Sequence, residues 1–237
     1  MKFDNKTIRG AVELWLEDEN SAERTYGHIS DWDVSNVTDM NSLFEGADSF
    51  NVDISSWNVG NVKDMSNMFC DAISFDQGIG FWDVSNVTNM CQLFAGALNF
   101  DQNIGFWDVS KVENMYGMFN GAEDFNQDVS SWNVSKVSDM SVMFRGAENF
   151  NQDISSWDVS SVLDMSEMFS GADSFNSDIS GWNVSKVVNM NEMFSPAESF
   201  NQDLSSWNVE NVESCKYFDD GCEGESFVVP NFTKCSI

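Results

Sequence analysis

The sequence predicts an α/β repeat solenoid of about eight 25-residue strand–turn–helix turns behind a helical N-terminal cap. Three observations predict it. Trp32, Trp57, Trp82, Trp107, Trp132, Trp157, Trp182 and Trp207 recur every 25 residues without a slip, the signature of a tandem array. Within each copy the apolar spacing alternates around the Trp and then changes to steps of three and four residues. Both ends depart from the repeat, as the capping turns of a stacked array must.

Residues 1–25 place Ile8, Val12, Trp15 and Leu16 at helical spacing, so they predict an amphipathic N-terminal capping helix. The repeats occupy residues 26–213. In the copy that starts at Ile154, Trp157 and Val159 alternate with polar residues as a half-buried strand does. Val162, Met165, Met168, Phe169 and Ala172 then share one helical stripe. Ser160 or Ser161 fits the N-cap of that helix, Asp164 its first turn and Gly171 its end. The run from Phe175 to Asp178 makes the return turn. Residues 214–237 form the C-terminal cap, closed by Phe227, Val228, Val229 and Phe232. One 25-residue copy buries too little to offset its ordering entropy, so the copies must stack into one continuous domain. Helices need more room than strands, which predicts a bend with the strands on the concave side.

The composition agrees with this reading. All 13 methionines except Met1 and 14 of the 20 phenylalanines fall in core columns of the repeat, so they read as core rather than as a redox or cofactor set. The 237 residues carry 39 acidic and 11 basic side chains, a net charge of −28. Such a charge disfavours nucleic acid and anionic membrane surfaces and leaves neutral or basic partners. The apolar runs are too short for membrane insertion. The opening residues, with Lys2, Asp4, Lys6 and Arg9, show no apolar stretch of a secretory signal.

The repeated text W-[DN]-V-S-x-V-x-[DN]-M-x-x-[ML]-F-x-G-A-x-x-F-N-Q-D-[IL]-S-S resembles the BspA-like leucine-rich-repeat surface-protein family, a 25-residue repeat also found in mycoplasma lipoproteins, protists and large algal viruses. The resemblance covers about residues 26–213, and the segment from Asn5 to Trp15 is similar to a leader that often precedes such repeats. It implies a leucine-rich-repeat-like solenoid displayed at a cell surface or outside the cell, where some members adhere to host proteins or other cells. It brings no catalytic motif.

No enzymatic constellation appears in the residues themselves, so no catalytic residue and no organic cofactor is expected. His28, the sole histidine, sits where other copies have Asp or Asn and reads as a turn residue. Cys70 and Cys91 read as free thiols, and Cys215, Cys222 and Cys235 are close enough in the terminal cap for one disulfide among them. Asp128, Asp153, Asp178 and Asp203 occupy one column, preceded by Asp53, Gly78 and Asn103. Stacked like charges need compensation. Each carboxylate either accepts backbone N–H groups in its own turn or shares a bridging calcium ion with its neighbours. The column after each Trp, from Asp33 to Asn208, is expected to hydrogen-bond along the stack. Lys111, Lys136 and Lys186 form a basic column expected to offset nearby acids.

The polar wall is interrupted once. Most copies have Ser-Ser or Ser-Gly before the Trp, but two adjacent copies have Gly80-Phe81 and Gly105-Phe106, beside Gly78 and Asn103 where the Asp column lapses. Phe81, Phe106, Gly80, Gly105 and Asn103 are therefore the candidate ligand-binding residues. The competing reading folds the two rings over the edge and onto each other. The sequence thus predicts a non-enzymatic binding or adhesion module that recognises a protein or glycan partner through the strand face. The alternative is a calcium-stabilised structural or surface-coat protein, and the oligomeric state stays open.

Overall fold

In the computed structural model, which describes residues 1–222, 224 and 226–237, the regular helices lie before the repeats. They are α1 (Thr7–Glu17), α2 (Glu19–Tyr26) and a single 3-10 turn, Ile29–Asp31. Ile8, Val12 and Trp15 are buried as the helical spacing predicts, whereas Leu16 is exposed. The N-terminal cap is two helices rather than one. Asp18 leaves helical geometry, and its carboxylate accepts the Ser21 amide at 3.0 Å to start α2, as an N-cap residue does.

The α/β solenoid of strand–turn–helix turns is overturned, and with it the concave strand face. Among the described residues the repeats contain, after the 3-10 turn at Ile29–Asp31, neither a helix nor an extended strand, only isolated parallel bridges. The expected helical stripe fails at one column. Ser42, Asn67, Gln92, Gly117, Val142, Glu167, Glu192 and Tyr217 have φ between 52° and 61°, a left-handed conformation that ends any right-handed helix. Four residues later Gly46, Gly96, Gly121, Gly146 and Gly171 are left-handed too, with φ between 65° and 70°. These glycines take the positive φ expected of them, but they close turns, not helices.

The backbone hydrogen bonds show what replaces the helix. The amides of Met65, Asn67, Phe69 and Asp71 donate to the carbonyls of Asn89, Cys91, Leu93 and Ala95 in the next copy, at 2.6–3.0 Å. The amides between them close turns onto their own copy, Met68 to Met65, Cys70 to Asn67 and Ala72 to Phe69, each at 3.1 Å. Ser66 donates its amide to the Asp64 carboxylate at 2.8 Å. Alternate amides therefore reach the next repeat, and every donor in the segment is paired.

Spacing explains why this arrangement wins. Same-column rings from Phe44 through Phe194 lie 5.5–5.8 Å apart in near-parallel stacks. Those from Phe50 through Phe200 lie 5.7–6.1 Å apart. Packed helices need about 8–10 Å between axes, so one helix per repeat would pull these rings out of contact. The expected Trp strand gives way to turns as well. Trp57 donates its amide to the Ile54 carbonyl at 3.0 Å and Val62 to Val59 at 2.8 Å. The parallel bridges fall instead on the residue before each Met, running from Asp39 through Asp64, Asn89, Asn114, Asp139, Asp164 and Asn189 to Ser214.

The core columns are buried as the periodicity predicts. In one copy Ile154, Trp157, Val159, Val162, Met165, Met168, Phe169, Ala172 and Phe175 are all at most 3% exposed. From Trp57 to Trp207 each indole N–H also links copies. Trp157 Nε1 donates to the Val129 carbonyl at 3.1 Å, and Trp82 through Trp207 repeat the bond to the equivalent carbonyl. A buried Trp thus keeps its donor satisfied. At the C-terminal end Phe227 and Phe232 set their rings edge-on to Phe200 and Phe218, and Cys215 is joined to Cys235.

Candidate functional site

A second ladder of hydrogen bonds lies immediately before the candidate site. The Asn126 Oδ1 accepts the Asn151 amide at 3.0 Å and Gln152 Nε2 at 2.8 Å. Asn51, Asp76, Asp101 and Asn176 do the same for the copies that follow them. Sequence reasoning placed this column in a return turn and missed the ladder. Its signal was present: the column admits only Asn and Asp in every copy from Asn51 to Asn201, and stacked amides of this kind are a known means of joining layers.

Two residues further on, the exposed Asp column satisfies itself. Asp128, Asp153, Asp178 and Asp203 accept the amides of Ser130, Ser155, Ser180 and Ser205 at 2.9–3.0 Å. The serine hydroxyl and amide hold each of these carboxyls below the usual carboxylate range. The charge of Asp153 pushes in the other direction on Asp128 and Asp178. No three His, Cys, Asp or Glu side chains gather in a metal-binding group among the described residues. The column after the Trp also bonds within its own turn and not along the stack: Asp158 Oδ1 accepts the Ser160 amide at 3.1 Å, and Asn183 accepts that of Ser185 at 3.2 Å.

The interruption in the polar wall has its own geometry. Phe81 is 95% exposed and Phe106 is 79% exposed, so neither ring folds back onto the chain. Ordinary copies place a serine at this column, and its hydroxyl donates to the preceding copy: Ser131 Oγ reaches the Gly105 carbonyl at 2.7 Å and Ser156 Oγ the Ser130 carbonyl at 2.9 Å. Phe81 and Phe106 give up that bond. The preceding glycines are required by close approach. A Cβ on Gly80 would lie 2.1 Å from the Asn103 carbonyl oxygen, and one on Gly105 would lie 2.4 Å from that of Asp128. Asn103 keeps the Asp column's role in neutral form, its Oδ1 accepting the Gly105 amide at 3.0 Å. Together Gly78, Gly80, Phe81, Gln102, Asn103 and Phe106 line an open groove of about 250 Å³.

The remaining polar residues have structural partners. His28 Nδ1 lies 2.8 Å from Ser30 Oγ and its ring sets edge-on to Trp15, the turn residue expected. Lys111 Nζ donates to Asn86 Oδ1 at 2.8 Å, and its charge and that of Lys186 help to lower the Asp108 and Asp158 carboxyls. Cys70, Cys91 and Cys222 are free thiols. Burial, with the adjacent Asp71 charge, pushes the Cys70 thiol up to about 12, which keeps it un-ionised at neutral pH and a poor nucleophile.

The family described as "Mycoplasma protein of unknown function, DUF285" matches the chain in three overlapping segments, residues 18–131, 74–162 and 126–226. This supports a mycoplasma-type tandem repeat, a coarser statement than the BspA-like resemblance. No curated protein and no solved structure matches the chain.

Proposed function

The chain belongs to the DUF285 family of mycoplasma-type repeats, and we propose that it is a non-enzymatic binding module that docks a partner over the groove between Phe81 and Phe106. One observation carries this reading. Two large rings stand almost fully exposed on adjacent copies, at a column where the other copies carry a small polar residue or glycine. An exposed ring that forfeits an inter-repeat hydrogen bond is a cost to the isolated chain, and a partner that covers it recovers the buried apolar area. The docking face is a wall of turns, not of strands.

The finer resemblance to BspA-like surface proteins supports display at a cell surface and an adhesive role. Pull-down from host or partner lysates with wild type and with Phe81→Ser/Phe106→Ser tests the module. The expected result is a bound species lost in the double variant. Equal capture by both proteins overturns the assignment of the face.

A further inference from the structure

The two ring-bearing copies differ from the others at four coordinated positions. Ordinary copies read Phe-Asn-Gln-Asp-Ile-Ser-Ser-Trp, as at residues 150–157, whereas residues 75–82 read Phe-Asp-Gln-Gly-Ile-Gly-Phe-Trp and residues 100–107 read Phe-Asp-Gln-Asn-Ile-Gly-Phe-Trp. Each change has a structural consequence. The glycines let the next copy's carbonyl approach, and the phenylalanines supply the exposed rings. Gly78 and Asn103 take carboxylates out of the groove lining. The charge is not lost but moved: Asp76 and Asp101 replace Asn in the ladder. Asp76 Oδ1 accepts Gln102 Nε2 at 2.8 Å, so this carboxylate sits one hydrogen bond behind a residue that lines the groove.

The run from Asp64 to Asp108 has one sign of charge. Between Lys63 and Lys111 there is no lysine or arginine, while Asp64, Asp71, Asp76, Asp83, Asp101 and Asp108 all fall in that stretch. Asp83 and Asp108 follow the two rings at a distance of two residues and are exposed, with the intervening Trp82 and Trp107 buried. The groove lining itself carries no charge, exposed carboxylates follow each ring two residues on, and the one basic side chain of the two copies, Lys111, is engaged with Asn86; such a surface is complementary to a ligand that is apolar at its tip and cationic at its flanks. The rings themselves offer π faces to a guanidinium or ammonium group.

Resting on the binding reading above, we infer that the occupant is a basic peptide segment of a protein partner, which places an apolar side chain between Phe81 and Phe106 and sets flanking lysine or arginine against Asp83 and Asp108. A glycan or an acidic peptide does not satisfy both halves of this surface. A second copy of the chain, with its own net charge of −28, is repelled.

The test is fluorescence anisotropy with three labelled peptides of equal length on the full chain. One alternates arginine with leucine and tryptophan, one replaces arginine by glutamate, and one keeps arginine but replaces the apolar residues by serine. The first is expected to bind most tightly and to lose at least about tenfold in affinity on Phe81→Ser/Phe106→Ser. That variant restores the serine of ordinary copies and should fold unimpaired. Asp83→Asn/Asp108→Asn should weaken the same peptide several-fold and flatten its salt dependence. Equal binding of the arginine-serine peptide, indifference to the phenylalanine pair, or displacement of the first peptide by neutral oligosaccharides would overturn the basic-peptide assignment. If the lysate partner is still lost in the double variant while the peptides show no such preference, the partner chemistry is wrong and the docking face stands. If neither responds, both fail.

Discussion

Asn126→Ala removes one rung of the polar ladder and leaves the apolar columns untouched. The Asn126 carboxamide oxygen holds the Asn151 amide at 3.0 Å and shares Gln152 Nε2 with the Asn126 main-chain carbonyl. Alanine therefore leaves one exposed backbone N–H without its protein partner, while Gln152 keeps its second acceptor. A typical intramolecular hydrogen bond contributes about 0.5–1.5 kcal/mol net, and water can replace this one. The expected loss is about 0.5–1 kcal/mol, or a fall in melting temperature of about 1–4 °C for a chain of this size. Asn126→Asp keeps the accepting oxygen, as the native Asp76 and Asp101 rungs do, and should cost no more than about 0.5 kcal/mol, because the added charge at a part-exposed site is worth little. Urea unfolding of the three proteins, followed by circular dichroism, measures the difference. A wild-type midpoint for Asn126→Ala, or an equal loss in Asn126→Asp, refutes the claim that the accepted hydrogen bond joins the copies.

Gly80→Ala should destabilise by about 1–3 kcal/mol because its Cβ meets main chain rather than a yielding side chain, whereas Ser130→Ala at the same column, which loses only a hydroxyl bond to the exposed Asp128, should cost less; equal midpoints for the two variants would show that Gly80 is not needed for close approach. The carboxyls of Asp128, Asp153, Asp178 and Asp203 are lowered from an ordinary value of 3.8. Their hydrogen bonds therefore contribute fully above that pH and are lost as pH falls through the lower folded-state values. Asp153→Asn/Asp178→Asn, which keeps the accepting oxygen but not the charge, should be no more stable than wild type at pH 7 and should lose less stability than wild type as pH falls below 3.8; an undiminished loss on acidification would contradict this. Because those carboxylates take donors from their own turn, melting temperatures in calcium and in chelator at matched ionic strength should coincide. A clear rise with calcium would restore the bridging role.

What could be read from the sequence was the set of things that depend on register alone. The 25-residue clock and the buried columns follow from which residues repeat, whereas the sequence leaves open whether Phe81 and Phe106 project or fold onto each other, and their exposure settles it. Secondary structure did not follow. The stripe from Val162 to Ala172 fits a helix and the Trp157-x-Val159 pair fits a strand, yet period alone cannot register the pitch between copies. At ring spacings below 6 Å in the Phe169 column only a flat run of turns fits, and it demands a left-handed residue at Glu167 that nothing in glutamate's chemistry announces. The polar columns divided in the same way. The Asp128 column could be read as local turns because Ser follows two residues on. The Asn126 ladder was hidden, since its partner is the same column one copy later and becomes visible only when stacking is taken residue by residue. Likewise the second N-terminal helix was lost because the Asp18 break interrupts an apolar stripe that ends there in any case.

Site-specific photocrosslinking tests the docking face most directly. A benzophenone side chain at position 81 or 106 stands where the exposed rings stand, and the same group at position 156 occupies the equivalent column of an ordinary copy. The account predicts that the captured partner crosslinks from positions 81 and 106 and not from position 156. Adducts of equal yield from all three positions, or from position 156 alone, would contradict it.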